Sequence, residues 1–307
     1  MKTPWWFLHK TPLAFLLLPL SFVYYAVSRT VFGLRKLRAY KSHRPVICFG
    51  GILAGGVGKT PIVRAVAKYL NAPVVMRGYK KSAKTGNVGD EATMLMNSGI
   101  NVHVGNRKSN MLLLNRQSDK GPILMDDGMQ NSSIVKNISV LVIDESLGCG
   151  NSFLLPAGPL REPKSHMARV DAIIVIKAKK ARKNFTLPVG IPIFYAENKT
   201  ISPYKAGDRL FAFAGIGYPD KFFNSLTGVV AKKRFADHYQ YTDKDIENLF
   251  KMAKKKNAKL ITTEKDWVRL PTAMREKIKY AGLETTLDSK FFDWLKEKLN
   301  DNTKKES

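Results

Sequence analysis

The sequence has few cysteines and few acidic residues, and it lacks the signatures that often accompany a strongly basic chain. Its 307 residues include two cysteines, Cys48 and Cys149, which can form neither a disulfide framework nor a cysteine metal site. Such sparse cysteine is typical of a reducing compartment. The sequence contains no RNA-binding signature and no Cys/His finger. It also lacks the Asn-Lys-x-Asp element with which a GTPase reads guanine.

The shortage of acidic residues leaves the chain with a large positive charge. There are 25 acidic residues against 51 lysines and arginines, which gives a formal net charge of +26. A field of this sign attracts polyanions such as nucleic acid, acidic lipids or phosphorylated substrates. The lysines are spread along the chain, for example in residues 177–183 and 251–259. Charge alone therefore does not select a partner, and a solvated lysine-rich surface is the alternative.

Charge is missing from one stretch near the N-terminus, between Lys10 and Arg29. This stretch is at the lower limit of length for a membrane span, and Pro19 interrupts it. Aromatic residues at positions 5–7 precede it and a basic run follows it. This arrangement favours membrane contact over a signal peptide or a buried core helix. We expect residues 1–44 to form a membrane-anchor helix with a cytoplasmic basic flank, either spanning the bilayer or lying in its interface.

A glycine-rich stretch lies between an apolar run and an amphipathic segment. Residues 46–49 predict a buried strand, and apolar residues recur at helical spacing from 62 to 70. A strand, a glycine loop and a helix in this order predict a P-loop, whose amides and helix N-terminus bind phosphate. Leu53 replaces the usual first glycine, and a plain glycine-rich turn is the alternative. The expected nucleotide-binding residues are Gly55, Gly56, Val57, Gly58, Lys59, Thr60 and Pro61.

Two carboxylates follow the strand predicted at residues 123–125. Asp126 and Asp127 stand where acidic residues bind Mg²⁺ beside a P-loop, at the carboxyl end of a strand. Carboxylate oxygens and the Thr60 hydroxyl are suitable ligands for this ion. We therefore expect a Mg²⁺ site there, with Lys59 reaching the β- and γ-phosphates. A turn-forming Asp-Asp-Gly sequence is the alternative.

Two other polar residues have both a structural and a functional interpretation. Asp90 opens a predicted helix, where it could cap the helix or act as a base beside the phosphates. Arg161 lies in residues 154–163, the proline-rich loop, where it could bind phosphate or simply be exposed.

Alternating strands and helices predict a P-loop NTPase-like α/β fold, with a mostly parallel sheet flanked by helices. We expect the P-loop domain over residues 45–200 and a smaller C-terminal α/β lobe over residues 201–307. In that lobe, Thr242 is expected to cap a helix that carries Asp245 at its third position.

A series of collinear motifs is found at residues 55–61, 77–79, 89–91, 126–130, 154–163, 211–217, 237–238 and 262–266. Together they resemble the tetraacyldisaccharide 4′-kinase family of lipid A biosynthesis. The resemblance extends from about residue 46 to 270, and the hydrophobic N-terminus resembles the membrane anchor of that family. Met129 and Asn131 depart from the family pattern, which has an aromatic residue and a histidine there, and Asn131 cannot titrate.

This resemblance implies transfer of the γ-phosphoryl group of ATP, with Mg²⁺, to the 4′-hydroxyl of an acylated glucosamine disaccharide 1-phosphate. It implies that Asp90 is the catalytic base, that His238 orients it and that Lys59 binds phosphate. It also implies action at the cytoplasmic face of the inner membrane, with no nucleic-acid partner. The expected substrate-binding residues are Arg77, Gln130, Arg161 and Glu162.

Two other functions compete with this interpretation. One is a membrane-associated P-loop ATPase of the switch or partitioning type. A partitioning ATPase usually carries a second lysine early in its loop, and residues 50–54 contain none. The other is a nucleic-acid-binding protein, which only the net charge supports.

Overall fold

The computed structural model describes residues 4–56, 58–78, 88–178, 180–182 and 185–304. They form two compact units. The larger unit contains residues 4–197 and the C-terminal stretch from Thr285, and the smaller unit contains residues 198–284. The chain therefore passes between the units twice.

The strands are numbered in chain order. They are β1 (Val46–Gly50), β2 (Val74–Met76), β3 (Val102–Val104), β4 (Ile123–Asp126), β5 (Ile138–Asp144), β6 (Ala172–Ile176), β7 (Ile193–Ile201), β8 (Leu210–Ala214), β9 (Val229–Arg234), β10 (Lys259–Thr263) and β11 (Lys279–Leu287).

The helices are numbered in the same way. They are α1 (Pro12–Leu16), α2 (Leu18–Lys36), α3 (Lys59–Leu70), α4 (Asp90–Asn97), α5 (Arg107–Asn115), α6 (Pro219–Phe223), α7 (Asp243–Lys255), α8 (Glu264–Trp267), α9 (Thr272–Arg275) and α10 (Ser289–Lys304). Short 3₁₀ helices lie at Trp5–Phe7 and Lys164–Arg169.

The larger unit is built on a parallel sheet with the strand order β3-β2-β4-β1-β5-β6-β7. Strands β1, β4 and β6 are buried along their whole length, as expected for a parallel sheet covered on both faces. Because β1 lies between β4 and β5, the loop after β1 lies beside the residues that follow β4. This order confirms the predicted P-loop NTPase-like architecture.

Helix α3 packs on this sheet through the apolar residues that predicted it. Ile62, Val63, Val66 and Ala67 are buried, and they share a hydrophobic cluster with Ile47 and Phe49 of β1. Their spacing places them on one face of the helix. The P-loop is thereby held between a buried strand and a buried helix face.

The C-terminal helix α10 also packs on the larger unit. Phe291 and Leu295 are fully buried in the cluster that contains Phe49, and the Phe291 ring lies 5.3 Å from that of Phe194. The prediction of one C-terminal lobe over residues 201–307 is therefore wrong for this helix. Its apolar stripe covers the sheet of the P-loop unit, which a linear reading of the chain did not indicate.

The N-terminal segment forms two consecutive helices. Helix α1 ends at Leu16, and α2 starts at Leu18 with Pro19 in its first turn, where proline is tolerated. Many large apolar side chains of α2 are exposed, including Leu20, Phe22 and Leu34. No helix in the described part of the chain has both the length and the apolar character needed to cross a membrane.

The smaller unit has the parallel strand order β11-β10-β8-β9. Helix α7 packs on it through Ile246, Leu249 and Ala253. The Thr242 side chain accepts a hydrogen bond from the Asp245 amide, and the Asp245 carboxylate accepts one from the Thr242 amide. This capping box begins the helix at the position that the sequence predicted.

Candidate active site

The loop between β1 and α3 has the shape of a phosphate-binding loop. Gly58 precedes α3 with a φ of 78°, a left-handed conformation that glycine adopts without strain. Lys59 and Thr60 form the first turn of α3, so that their amides belong to the positive end of the helix dipole. Val57, one of the predicted nucleotide-binding residues, lies outside the described residues.

The start of this loop lies against the turn that follows β4. A Cβ atom added at Gly50 would lie 2.6 Å from the Cβ atom of Met129. In the sheet, Phe49 of β1 is paired with Asp126 of β4. Glycine at the end of β1 therefore lets the acidic turn approach the P-loop.

Asp127 joins the P-loop to the proline-rich loop. Lys59 Nζ lies 3.2 Å from Asp127 Oδ1, and Arg161 Nη1 lies 3.0 Å from Oδ2. Desolvation acts to raise the pKa of Asp127, but the charges of Lys59 and Arg161 outweigh it and hold the pKa at about 2. The predicted residues Lys59, Asp127 and Arg161 are thus in direct contact.

Asp126 has the opposite environment. Its side chain is buried, and its Oδ1 atom accepts no hydrogen bond from the described part of the chain. Burial raises the pKa of Asp126 to about 6, with Lys59 opposing the shift and the charges of Asp127 and Glu91 adding to it. A buried carboxylate oxygen without a partner, beside the first turn of α3, is the kind of ligand that Mg²⁺ accepts.

The described residues contain no group of three or more histidine, cysteine, aspartate or glutamate side chains that could hold a metal ion. A Mg²⁺ site here would therefore need oxygen atoms of other types. Mg²⁺ at nucleotide sites is usually held by one or two carboxylates together with substrate phosphates and water. The carboxylates of Asp126 and Asp127 and the hydroxyl of Thr60, in the first turn of α3, are oxygen donors of the kind in that pattern.

Arg107, which no sequence pattern indicated, binds the backbone of the two acidic residues. It is the first residue of α5, and its buried Nη2 atom donates to the carbonyl oxygens of Asp126 and Asp127, at 2.9 and 3.0 Å. Asp127 has a φ of 49°, which a non-glycine residue rarely adopts. The guanidinium therefore stabilises an unusual turn that presents both acids to the P-loop.

Gln130 and Glu162 extend the same polar network. Gln130 Nε2 donates to the carbonyl of Gly51 at 3.0 Å and to Glu162 Oε1 at 2.8 Å. The other oxygen of Glu162 lies 2.9 Å from His166 Nδ1 and 2.6 Å from Arg169 Nη2. His166 and Arg169, on the 3₁₀ helix after the proline-rich loop, were not predicted from the sequence.

The N-terminal helices are hydrogen-bonded to the proline-rich loop. The buried Ser21 hydroxyl donates to the carbonyl of Leu154 at 2.9 Å and accepts from the amide of Ala157 at 3.1 Å. The Tyr24 hydroxyl donates to the carbonyl of Arg161 at 3.2 Å. The segment with the exposed apolar side chains is thereby attached to the loop that carries Arg161.

The structure corrects one predicted role of Asp90. Asp90 is the first residue of α4, and the capping position belongs to Gly89, which has a φ of 98°. Asp90 therefore does not cap the helix through the N-cap position. The charge of its neighbour Glu91 contributes to the raised pKa of Asp126.

Three further residues of interest have different surroundings. Arg77 follows β2 and is exposed, and its charge helps to lower the pKa of Arg107, which burial depresses most. Asn131 Oδ1 accepts hydrogen bonds from the amide and hydroxyl of Ser133 within its own turn. His238 belongs to the smaller unit, where its amide donates to the carbonyl of Gly215. The pairing of His238 with Asp90 stays a prediction.

Comparison with known proteins agrees with this arrangement. The family model described as LpxK, tetraacyldisaccharide-1-P 4′-kinase, matches residues 13–300. The chain is 37% identical over 314 residues to the tetraacyldisaccharide 4′-kinase of Paramagnetospirillum magneticum, with 94% of each chain covered. It is 37% identical over 295 residues to that of a Bradyrhizobium species, with 86% of each chain covered.

A solved structure has the same fold. LpxK from Aquifex aeolicus, crystallised in complex with ATP, superimposes with a TM-score of 0.75 at 24% sequence identity. The match covers 94% of this chain and 99% of that one. The family model and the curated relatives show that this chain belongs to the tetraacyldisaccharide-1-P 4′-kinase family.

Proposed function

We propose that the protein transfers the γ-phosphoryl group of ATP to the 4′-hydroxyl of a tetraacylated glucosamine disaccharide 1-phosphate. Membership of the kinase family supports this reaction. The observation that carries it is the contact of Asp127 with both Lys59 of the P-loop and Arg161 of the proline-rich loop. This contact joins a nucleotide-binding element to a second cationic group that can receive a phosphorylated acceptor.

Phosphoryl transfer depends mainly on positioning and on neutralising charge. Lys59 and the loop amides bind the phosphates of ATP. Asp126 and the Thr60 hydroxyl would hold Mg²⁺, which would supply positive charge to the phosphates during transfer. Asp127 keeps Lys59 and Arg161 in place. Arg161, Gln130 and Glu162 form the acceptor side of the site, with Arg77 as a further cation near it.

A sugar hydroxyl is a poor nucleophile at neutral pH, so a base within hydrogen-bond reach should increase the rate. In this proposal Asp90 accepts the proton of the 4′-hydroxyl, and His238 is the second residue required for this proton transfer. The position of Asp90 at the start of α4, next to Glu91, supports this role, since the charge of Glu91 is felt at Asp126.

The acceptor carries several acyl chains, so the enzyme must work at a lipid surface. The N-terminal helices offer exposed apolar side chains, among them Trp5, Phe15, Leu16 and Phe22. Basic residues follow within and after α2, which suits an anionic leaflet at the cytoplasmic side of the inner membrane. We propose that α1 and α2 lie in the membrane interface and bring the proline-rich loop to the lipid headgroup.

The test is an assay of purified protein with detergent-solubilised lipid disaccharide 1-phosphate and ATP-Mg²⁺. The wild-type protein should form the 4′-phosphorylated lipid. Asp90→Asn should lower kcat by about 100-fold or more while the KM for ATP changes little, because a general base is lost and nucleotide binding is kept.

Asp243→Asn is a matched control. Asp243 is the first residue of α7, as Asp90 is of α4, so both substitutions remove the same helix-terminal charge. The control should retain wild-type kcat. Near-wild-type turnover of Asp90→Asn would contradict the assignment of the base. ATP hydrolysis without lipid phosphorylation would contradict the kinase and favour a switch or partitioning ATPase.

A further inference from the structure

The smaller unit contains a buried ion pair that the proposed reaction does not use directly. Asp266 lies on α8 and Arg269 follows that helix, and their side chains are 0% and 1% exposed. Asp266 Oδ1 and Arg269 Nη1 are 3.0 Å apart. A buried ion pair rarely stabilises a fold more than apolar side chains of the same size, because desolvation offsets the attraction. Its presence in this core therefore points to a role other than stability.

The polar contacts of this pair converge on one short loop. Asp266 Oδ1 accepts hydrogen bonds from the Gly215 amide and from the Tyr241 hydroxyl, each at 3.0 Å. Arg269 Nη1 donates to the Gly215 carbonyl at 2.8 Å, and the same carbonyl accepts from the His238 amide at 3.0 Å. Gly215 and the backbone of His238 are thus fixed by one buried network.

The network also reaches the imidazole of His238. Arg269 Nη2 lies 3.4 Å from His238 Nδ1. A guanidinium group can only donate hydrogen bonds, so Nδ1 must accept, and the ring proton of the neutral imidazole then lies on Nε2. His238 has a φ of 59°, which costs a non-glycine residue free energy and persists only where its surroundings impose it. The ring is 37% exposed, and its Nε2 atom lies 3.9 Å from Asp237 Oδ1.

We propose that Asp266 and Arg269 are positioning residues that hold His238 in the Nε2–H tautomer. This inference rests on the proposed catalytic role of His238. In that tautomer Nε2–H is the hydrogen-bond donor that the ring presents. Asp266 fixes Arg269, Arg269 fixes the ring, and the two together decide which nitrogen carries the proton.

Arg269→Lys tests the inference. Lysine keeps a positive charge beside Asp266, but its single ammonium group cannot serve Asp266, Gly215 and His238 at once. We expect kcat to fall by about 10- to 100-fold, as for a misplaced catalytic group, with little change in the KM for ATP. The second readout is the ¹⁵N chemical shift of the two ring nitrogens of His238. The wild type should show the Nε2–H form, and Arg269→Lys a mixture of tautomers.

The sequence has five histidines, so ¹⁵N-histidine labelling gives few ring signals, and His238→Ala assigns the one of interest. Tyr239→Phe is the control, because it removes a phenolic hydroxyl that donates to Asp245, outside the Asp266 network, and leaves the contact between Arg269 and His238 in place. It should keep the tautomer and kcat within about twofold of the wild type, since the Arg269 contact is unaltered.

A double-mutant cycle separates this inference from the proposed function. In the His238→Ala background, Arg269→Lys should cause no further loss of kcat, because its effect acts through His238. If His238→Ala has full activity, the proposed role of His238 fails, whatever the tautomer is. If the tautomer is unchanged in Arg269→Lys, or if the two losses are additive, the positioning inference is overturned.

A second variant covers the case in which Arg269→Lys does not fold. Asp266→Asn with Arg269→Gln removes both charges together, so no buried charge is left unpaired. Glutamine is shorter than arginine and does not reach the ring. The same change of tautomer and the same loss of kcat are expected, and a wild-type ring spectrum in this folded double variant would also overturn the inference.

Discussion

At the scale of single residues, two adjacent carboxylates have opposite environments. Asp127 is surrounded by the charges of Lys59 and Arg161, and its pKa is held at about 2. Asp126 is buried with one oxygen unpartnered among the described residues, and its pKa is raised to about 6. Neighbouring carboxyl groups whose pKa values differ in this way have different roles. Asp126 is the better candidate for direct contact with Mg²⁺. Asp127 is the better candidate for holding the side chains of Lys59 and Arg161.

Asp126→Asn should therefore stabilise the metal-free protein at pH 8. The pKa of Asp126 in the folded state, about 6, lies above that of an unfolded aspartate. The protonated Asp126 carboxyl therefore stabilises the folded state below the pKa of the unfolded state, and this stabilisation is lost as pH rises through 6. A shift of two pKa units corresponds to about 3 kcal/mol at most. Thermal denaturation in EDTA should show a higher Tm for the variant at pH 8 and no difference near pH 4.

Magnesium provides the control for this prediction. Millimolar Mg²⁺ should raise the Tm of the wild-type protein at pH 8 more than that of Asp126→Asn, because the variant lacks the carboxylate charge. A difference in Tm between the two proteins that does not depend on pH would contradict the raised pKa of Asp126.

At the scale of elements, the sequence predicted those whose signals are local. The spacing of Ile62, Val63, Val66 and Ala67 predicted α3, and Thr242 with Asp245 predicted the start of α7. Asp127 and Arg161 were both selected, although their contact could not be read from the sequence. Local patterns were sufficient there because each element carries its own apolar face or cap.

Contacts set by the order of strands could not be predicted in this way. Arg107 donates to carbonyls 19 and 20 residues further along the chain, because β4 pairs with β2 and α5 packs against β2. An isolated arginine after a helix cap gives no signal of this. The stripe of Phe291 and Leu295 showed that α10 has an apolar face, but nothing local indicated which sheet it would cover.

The attachment of α2 to the proline-rich loop predicts an effect on the lipid substrate. Ser21→Ala removes only the hydroxyl of the buried side chain. It leaves the Ala157 amide without its partner and takes from the Leu154 carbonyl one of its two donors, the other being the Gly158 amide. Buried unpaired groups cost about 1–3 kcal/mol each, so the loop should shift. We expect a several-fold higher KM for the lipid acceptor and an unchanged KM for ATP.

Thr30→Val is the matched control on the same helix. The Thr30 hydroxyl is exposed and donates only to the Ala26 carbonyl within α2, as far as the described contacts extend. Both substitutions remove one side-chain hydroxyl from α2, so a difference in their KM values reports the contact with the loop. Equal KM values for lipid in the two variants would show that α2 does not position Arg161.

At the scale of the whole molecule, the net charge and the apolar N-terminus predict how the protein binds membranes. Anionic lipid attracts basic residues near the surface by about 1 kcal/mol each, and salt weakens this attraction. Binding to vesicles that contain phosphatidylglycerol should therefore exceed binding to pure phosphatidylcholine, and it should fall as salt increases. Flotation of the purified protein with each kind of vesicle measures both effects.

Phe22→Ser should weaken binding to both kinds of vesicle, because it removes an apolar side chain that is 73% exposed on α2. Val189→Ser is the control, since Val189 is fully exposed but lies far along the chain from the N-terminal helices. If both variants float like the wild type, α2 does not enter the membrane interface.

The return of α10 to the larger unit has a consequence for the order of events during translation. The smaller unit is encoded between two segments of the larger one, so all of its strands emerge from the ribosome before Phe291 and Leu295 do. The cluster around Phe49 stays open until then, because those two side chains complete it. Synthesis of the larger unit, which carries the phosphate-binding loop, therefore begins first, but its folding is completed last.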